Sequence, residues 1–485
     1  MPGSTLLAQL KRHSDDRPDA GAFRLHAVGV LTYRQLAYQV AVLSKRLQEL
    51  FPRKATVILS CPSDLHYPVA FLGILAAGCT VLPISPEASD IELIRAATES
   101  GAECVMGDDR AVRLLTESRR LRVCSIHGEF HGASSTAAEL RLFDEPAGDL
   151  LLQSSGTTGL PKIARRTGAS LDAVAQATAE AIGFTMNDRV LMTIPLTHSY
   201  GLEHGLLAPI WAGSCVHLCP GLDLQVLLPE LAGGITILPG VPSTFEMLAG
   251  LPGDASMMPK LRLAYSAGAP LPQSVFDVFL INYGVRVTQL YGATEIGSVA
   301  FNPASDPFDP ASVGRGMQDV SIRIVDLKGH GDSLATGEEG QIAIRAPSMF
   351  SGYLNGSSDL IDGHFPTGDL GRLDESGRLF VTGRIKLLID VGGMKVNPLE
   401  VEAVLQQHPA VAACAVIAVR QTATINRLKA MIEPRDPAHP PSIDALRQLA
   451  RDHLSAYKVP RFFEICPELP RSPVGKILRH LLEVK

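Results

Sequence analysis

The chain has 485 residues, of which 46% are hydrophobic and 19% are charged, so an intrinsically disordered protein is excluded. At about 150 residues per domain, roughly three folded units are expected. The 44 Lys and Arg residues against 50 Asp and Glu residues give a formal net charge of −6, which argues against a nucleic-acid-binding protein because such a protein needs a basic surface.

The eight cysteines are scattered, which suits a reducing compartment better than a disulfide scaffold. Cys215, His217 and Cys219 come closest to a metal-binding set, but their apolar context favours buried thiols in a strand. Residues 1–20 lack the apolar core of a secretory signal. The longest apolar stretch, 69–82, is too short to span a bilayer and predicts a buried helix followed by a strand. We therefore expect a cytoplasmic protein with no membrane span.

Short apolar runs alternate with segments of helical periodicity through the first two-thirds of the chain. The strand-like runs lie at 56–60, 81–84, 189–194 and 235–238, and the helical patterns at 31–47 and 169–182. This alternation predicts an α/β fold with largely parallel sheets. From about residue 312 the chain changes to short strands with glycine-rich turns, which predicts a β-rich subdomain.

A second change follows Arg384. Residues 397–407 predict a helix with Pro398 in its first turn, residues 411–419 a strand, and residues 442–454 a further helix. We therefore expect two domains. The first, 1–385, would hold two α/β subdomains and the β-rich subdomain, and the second, 386–485, would be a small, mobile α+β domain.

The strongest local motif is the run Ser-Ser-Gly-Thr-Thr-Gly-Leu-Pro-Lys at 154–162, which follows an apolar strand. Its glycines allow close backbone approach, its hydroxyls and amides can bind phosphate oxygens, and Lys162 adds positive charge. It is not a P-loop of the Walker type, because Ile163 follows the lysine and offers no hydroxyl to a metal ion. The alternative is a hydroxyl-rich surface turn.

Four further clusters follow in order. Tyr-Gly-Ala-Thr-Glu at 291–295 comes directly after a strand, where α/β folds place ligands. The other three are Thr-Gly-Asp at 367–369, Gly-Arg-Ile-Lys at 383–386 and Arg-Ser-Pro-Val-Gly-Lys at 471–476. Each has a plain structural alternative, since Asp369 could cap a turn and Arg384 could form a surface ion pair.

In this order and spacing the five motifs resemble the adenylate-forming superfamily, which includes acyl-CoA synthetases, carrier-protein adenylation domains and firefly luciferase. The resemblance extends from Leu31-Thr32-Tyr33 to Lys476 and Arg479, and departs from the family where Ile163 stands in place of a common glycine. It implies that a small-molecule carboxylic acid attacks the α-phosphorus of ATP, with Mg²⁺ bound. A thiol then attacks the resulting acyl-adenylate and releases AMP.

The resemblance also implies a role for each matching residue. The ATP β- and γ-phosphates would be held by Ser155, Gly156, Thr157, Thr158, Gly159 and Lys162. The adenine would lie against Ala267, Gly268, Ala269, Tyr291 and Gly292. Asp369 would accept hydrogen bonds from both ribose hydroxyls, with Arg384 beside it. Thr294 would contact the α-phosphate, and Glu295 would bind Mg²⁺.

Two lysines and a histidine would act as the enzyme passes from adenylation of the acid to attack by the thiol. Lys476 would bridge the acid carboxylate and the α-phosphate, Lys386 would be the hinge between the domains, and His198 would gate the passage between acid pocket and thiol. The acceptor would be CoA or the phosphopantetheine of an acyl carrier protein, and the sequence does not choose between them. A non-catalytic or oxidative relative is disfavoured, because Lys476, Glu295, Thr294 and Asp369 are all present.

The acid pocket is expected to contain His198, Ser199, Val241, Tyr265, Ser266 and Gly292. Amino-acid-activating relatives place an Asp after the gate, whereas Ser199 cannot neutralise a buried ammonium. Acetate-specific relatives place a Trp where this chain has Gly292, so an acid larger than propionate is expected. The mostly apolar segments predict an aryl or medium-length acyl chain.

Overall fold

A computed structural model describes residues 5–51, 55–124, 147–154, 162–219, 221–268, 271, 273–303, 309–326, 331–356, 359–385, 389–396, 398–421, 426–470 and 479–482. Within these ranges the side chains of residues 274, 383, 384, 395, 399, 403 and 480 are not described. The phosphate-binding loop 155–161, Ala269, Lys386 and Lys476 therefore lie outside the described residues, as does the side chain of Arg384.

The α-helices of the described chain are α1 (Leu6–Asp16), α2 (Tyr33–Leu50), α3 (His66–Ala76), α4 (Asp90–Ser100), α5 (Asp109–Arg119), α6 (Gly168–Ile182), α7 (Ser199–Leu202), α8 (Ala208–Ala212), α9 (Leu224–Ala232), α10 (Pro242–Ala249), α11 (Gln273–Tyr283), α12 (Pro398–Leu405) and α13 (Ile443–His453). A π-helical turn, Glu203–Leu207, joins α7 to α8, and short 3₁₀ turns occur at Ala255–Met257, Ala456–Lys458 and Arg479–Leu481.

The strands are β1 (Gly21–Leu25), β2 (Gly29–Thr32), β3 (Thr56–Ser60), β4 (Thr80–Pro83), β5 (Cys104–Gly107), β6 (Arg122–Val123), β7 (Leu150–Ser154), β8 (Lys162–Arg166), β9 (Arg189–Met192), β10 (Cys215–Leu218), β11 (Ile237–Gly240), β12 (Leu263–Ser266), β13 (Val287–Ala293), β14 (Gly297–Phe301), β15 (Ser312–Gly316), β16 (Ser321–Val325), β17 (Gly340–Arg345), β18 (Gly352–Tyr353), β19 (Phe365–Leu373), β20 (Leu379–Arg384), β21 (Ile389–Val391), β22 (Met394–Val396), β23 (Val411–Arg420), β24 (Asn426–Pro434) and β25 (Phe462–Ile465).

The mixed α/β fold expected from the sequence is confirmed. A seven-stranded sheet has the order β18-β8-β7-β4-β3-β5-β6, with β3, β4, β5, β6 and β7 paired in parallel. A thirteen-stranded sheet has the order β16-β17-β19-β20-β15-β14-β13-β12-β11-β9-β10-β1-β2. The β-rich part is not a separate sheet, because the antiparallel pairing of β13 with β14 joins it to the parallel strands.

Local sequence signals explain several helix starts. Thr32 and Ser89 form capping boxes with Gln35 and Glu92 at the first turns of α2 and α4, and the Ser442 side chain caps α13 as expected. The apolar stretch at 69–82 forms the buried helix α3 followed by β4. No helix among the described residues is long and apolar enough to cross a bilayer.

The C-terminal part contains the three-stranded sheet β23-β24-β25 and helices α12 and α13, which pack on one face of it around Val401, Val416 and Leu446. The hairpin β21–β22 lies between this part and the larger sheets and packs against β24. Helix α13 also contacts helix α4 of the seven-stranded layer. The boundary at 385/386 remains a prediction, but this small core is the one expected beyond it.

Candidate active site

A cavity of 710 Å³ lies where the parallel strands of the two large sheets end and the β21–β22 hairpin approaches them. Its walls come from the ends of β7, β8, β11 and β13, the segment after β9, and the C-terminal part. Open α/β sheets bind ligands in the crevice outside the carboxyl ends of their strands, and this cavity lies at that position. Most of the predicted site residues that the structure describes lie in its walls or directly behind them.

Tyr291 and Asp369, the residues predicted to bind adenine and ribose, meet behind the part of the cavity wall that Gly292 and Gly368 line. The Tyr291 hydroxyl donates to Asp369 Oδ2 at 2.7 Å, and both residues are buried. Thr367 fixes the approach to Asp369, since its Oγ1 accepts from the Asp369 amide at 3.1 Å and donates to the Ile342 carbonyl at 2.9 Å. The backbone of Arg384 pairs directly opposite Asp369, as the predicted ribose site requires.

The glycines beside this pair complete the nucleoside wall. Gly268, with φ of +93°, and Gly368, with φ of +76°, both line the cavity together with Ala267 and Gly292. These are conformations that favour glycine, so the backbone itself forms the surface there. Three of these four residues are glycines, so this part of the lining carries few side-chain atoms.

The phosphate end gathers Lys162, Thr294 and Glu295 on one wall. Glu295 Oε1 accepts a hydrogen bond of 2.8 Å from the Tyr353 hydroxyl, and Lys162 Nζ lies 4.7 Å from the centre of the Tyr353 ring. Burial, and then the Glu295 carboxylate, raise the pKa of Tyr353, so its phenol remains a donor at neutral pH. The sequence analysis missed Tyr353, which lies about 58 residues after Glu295 and carries no motif of its own.

The magnesium expectation fits this wall. Glu295 supplies one carboxylate, held in place by Tyr353, and the Thr294 hydroxyl is adjacent in the chain. Mg²⁺ in nucleotide sites is bound by one or two carboxylates, with substrate phosphates and water supplying its other ligands. No cluster of three or more His, Cys, Asp or Glu suited to a metal occurs in the described part of the chain, so a protein-only metal cage is not formed there.

The acid end is formed by His198, Ser199, Val241 and Gly292, four of the six predicted pocket residues. Tyr265 and Ser266 are buried within β12 and are not part of the lining. Packing around the ring of His198 lowers the pKa of this residue, so its imidazole is neutral at pH 7.

The lining is more polar than the sequence led us to expect. Ser243, Thr244, Ser298 and Glu203 all line the cavity among apolar side chains.

The backbone around Gly292 gives a second reason for a glycine at this position. A Cβ there would lie 2.5 Å from the Gly297 carbonyl oxygen, so the β13–β14 hairpin excludes any side chain whatever the size of the acid.

A buried hydrogen-bonded network that the sequence did not reveal reaches the cavity through Glu203 and Ser298. Arg166 Nη1 donates to Glu203 Oε1 at 2.5 Å, with the side chains 0% and 2% exposed. Glu203 Oε2 accepts from the Ser298 amide at 2.9 Å and from its hydroxyl at 2.7 Å. His204 bridges the Ser298 hydroxyl, at 2.9 Å, and the Tyr265 hydroxyl, at 2.8 Å.

The direction of the hydrogen bonds in this network fixes the tautomer of His204. Because the single proton of the Ser298 hydroxyl goes to Glu203, His204 Nε2 must donate to Ser298 and Nδ1 must accept from Tyr265. Burial lowers the pKa of His204 to about 3. A charged residue inside the apolar run at 199–210 was the one signal that could have revealed the network.

This shift predicts a pH dependence of stability. Between about pH 3 and pH 6.5 the unfolded chain binds a proton at His204 that the folded chain excludes, so stability falls as pH falls through this window. We expect His204→Gln to reduce the slope of the free energy of unfolding between pH 5 and pH 6.5 by about 1 kcal/mol per pH unit. Urea unfolding at several pH values measures this slope, and an unchanged slope in His204→Gln would contradict the lowered pKa of His204.

Comparison with known proteins agrees with this geometry. Residues 10–354 match the profile of the AMP-binding enzyme family, and residues 400–476 match the C-terminal domain of AMP-binding enzymes. A 4-coumarate–CoA ligase from Oryza sativa is 30% identical over 89% of this chain and 82% of its own length. A mitochondrial malonate–CoA ligase from Xenopus laevis is 27% identical over 94% and 88% of the two chains.

Solved structures give the same result. A malonyl-CoA ligase with methylmalonyl-CoA and AMP bound matches with a TM-score of 0.81 and 28% identity over 93% of this chain and 97% of its own. An amide bond synthetase from Marinactinospora thermotolerans matches with a TM-score of 0.86 and 26% identity over 99% of both chains. The fold and site define an adenylate-forming ligase. The chain belongs to the AMP-binding enzyme family and is an AMP-forming, acyl-CoA synthetase-like acid–thiol ligase.

Proposed function

We propose that this chain activates an aryl or medium-length monocarboxylic acid with ATP and transfers the acyl group to CoA. The observation that supports the proposal is a single cavity lined by most of the described residues predicted to bind the nucleotide, Mg²⁺ and the acid. The half-reactions need these three surfaces to meet, because the acid carboxylate must lie within reach of the α-phosphorus.

In the first half-reaction the described residues bind and orient. The Tyr291–Asp369 pair would hold the nucleoside, leaving the α-phosphate near Thr294. Lys162 would offset negative charge on the outer phosphates, and Glu295 with Thr294 would hold Mg²⁺, which when bound stabilises charge on the phosphate oxygens. His198 lines the cavity as a neutral imidazole and would add no charge that holds back the leaving pyrophosphate.

The charge of the pocket argues for a monocarboxylic acid. Among the described lining residues the cations are Lys162, on the phosphate wall, and Lys458, which contacts two carboxylates. The inner end carries Glu203, already paired with Arg166. A second carboxylate reaching that end would meet the Glu203 oxygens, whereas Arg166 is 0% exposed and does not line the cavity. An unpaired buried charge costs several kcal/mol.

The relatives named above support CoA over a carrier protein as the acceptor. The amide bond synthetase suggests a second possible acceptor, an amine, because an acyl-adenylate can be attacked by either nucleophile. The glycine turn at Gly392 and Gly393 lines the cavity beside Val241 and presents no side chain there, which favours a slender thiol arm.

A matched pair of acids tests the pocket. We expect heptanoate to be adenylated at least about 100-fold more efficiently than heptanedioate, since the two differ in the charge at the far end. Pyrophosphate release measures the first step, with CoA, a holo carrier protein or a simple amine then added to identify the acceptor.

A wider panel of acetate, malonate, amino acids, benzoates and straight chains of increasing length completes the test. Each methylene buried adds about 0.8 kcal/mol, or about fourfold in efficiency, until the pocket is full. Preference for malonate, acetate or an amino acid would overturn the proposed acid class, and failure to release pyrophosphate with any acid would overturn the function.

A further inference from the structure

A buried charge cluster joins the C-terminal part to helix α4. Lys458 Nζ donates to Glu92 Oε1 at 2.8 Å and to Glu400 Oε1 at 3.1 Å. The Ser455 hydroxyl donates to the other oxygen of Glu92 at 2.5 Å, and Arg95 Nη2 lies 3.8 Å from Glu400 Oε1. Because Glu92 and Arg95 belong to α4 while the other three belong to the C-terminal part, we call these five residues the interdomain cluster.

The interdomain cluster is balanced in charge and shielded from water. The side chains of Lys458, Glu92 and Glu400 are only 9%, 6% and 7% exposed, and two carboxylates face two cations. Burial opposes the charged form of Lys458, but Tyr457 and the two carboxylates outweigh it and raise the pKa of this lysine. Burial likewise opposes the charge of Glu92, and Lys458 more than compensates, lowering the pKa of this carboxyl. Lys458 and Glu92 are therefore both charged at neutral pH.

The cluster lies at the edge of the active site. Lys458, Glu400 and Tyr457 line the cavity, and so does the turn of the β21–β22 hairpin. In that turn a Cβ on Gly393 would lie 2.9 Å from Val241 Cγ1, so the turn touches the acid pocket. Contacts at two separate places fix which face of the C-terminal part is directed at the cavity.

The face so directed suits transfer to a thiol. A neutral thiol needs an open passage to the acyl carbonyl, and the turn at Gly392 and Gly393 lines the cavity without presenting a side chain. Lys458, which also lines the cavity, is bound to Glu92 and Glu400.

We propose that Glu92 and Lys458 are positioning residues that hold the C-terminal part in the orientation for acyl transfer to the thiol. This inference rests on the proposed function for its chemistry, and on the interdomain cluster for its geometry. Neither residue touches the reacting atoms. They act through the position of the glycine turn, so their removal should slow the second half-reaction and leave the first one intact.

Two single variants and their combination test the proposal. In Glu92→Gln and in Lys458→Met we expect the single-turnover rate of acyl transfer from preformed acyl-adenylate to CoA to fall at least about tenfold, since a buried charge loses its partner. ATP–pyrophosphate exchange should stay within about twofold of wild type. The double variant should be no slower than either single variant, because both act on one contact.

Helix α4 offers a matched control. Asp90 lies in the same first turn, is 57% exposed and pairs with Arg110 of its own domain, so Asp90→Asn should leave both half-reactions unchanged. Glutamine at 92 can keep the capping box with Ser89, so loss of the helix start does not account for the expected effect. Equal loss of both half-reactions, or no loss of transfer, would overturn the proposal.

Amide hydrogen exchange separates the geometry from the proposed chemistry. If the interdomain cluster holds the orientation, exchange in Ile389–Val391 and Met394–Val396 should rise several-fold in Glu92→Gln and Lys458→Met and remain at the wild-type rate in Asp90→Asn. Unchanged protection in the two variants would overturn the positioning role even if no acid were activated. A wild-type enzyme without pyrophosphate exchange would instead overturn the proposed function.

Discussion

Replacing Lys476 with alanine is expected to lower ATP–pyrophosphate exchange by several orders of magnitude, while acyl transfer from preformed acyl-adenylate to CoA changes much less. The charge of this lysine would offset the pentavalent phosphate, which exists only in the first half-reaction, so its loss affects that step alone. Lys476 is the last residue of the segment 400–476, which matches the C-terminal domain of AMP-binding enzymes.

Lys458→Met is the informative comparison for this variant. Both lysines lie in the C-terminal part, yet replacing each one should impair a different half-reaction. Lys458 is bound to Glu92 and Glu400 and is not free to bind a phosphate. Exchange at near wild-type rate in Lys476→Ala would contradict the role assigned to it.

Arg166→Met is expected to lower the free energy of unfolding by about 3–5 kcal/mol, because it leaves the carboxylate of Glu203 buried without its cation. The neighbouring Arg165 is the control. It points outward to Asp149 and is 44% exposed, so Arg165→Met should cost no more than about 1 kcal/mol. Urea unfolding of both variants measures the difference.

Removing both members of the buried pair should recover much of the loss. In Arg166→Met combined with Glu203→Leu, no unpaired charge remains inside the protein, and apolar replacement of a whole buried pair is often close to neutral. If the double variant is as unstable as Arg166→Met, the unpaired charge is not the cause of the instability. Equal stability of Arg165→Met and Arg166→Met would contradict the importance of the pair.

Several helices and strands of the structure agree closely with those predicted from local sequence patterns. The predicted strand at 56–60 is β3, the predicted helix at 169–182 is α6, and the predicted helix at 442–454 is α13 with its Ser442 cap. These agree because hydrophobic periodicity and capping depend on residues only three or four apart. Strand ends shifted by two residues in β9 and β11. Ile194 lies in the segment after β9, and Ile235 lies in the segment before β11.

Residues for the nucleotide side of the site could be proposed from the sequence because each motif is contiguous, and their roles stay predictions. Tyr291 and Asp369 were assigned separately to adenine and ribose, and the structure joins them with one hydrogen bond. The polar inner end of the acid pocket could not be predicted in this way. Arg166 and Glu203 stand 37 residues apart with no motif linking them, and the expected lining residues Tyr265 and Ser266 lie behind the wall.

The sequence by itself determined the α/β class, the family and the chemistry of adenylation, since these reside in local patterns and in contiguous motifs. Only the tertiary structure decided that Glu203 lines the cavity and that Lys458 meets Glu92, a residue 366 positions away. It also decided that Gly292 is required by the backbone of its own hairpin. The physical reason is that the role of a charged side chain depends on whether it is buried. A lone Glu in a sequence is most simply a solvated side chain, and it becomes a pocket wall or an interdomain contact only when packed sheets and helices remove its water and supply a cation.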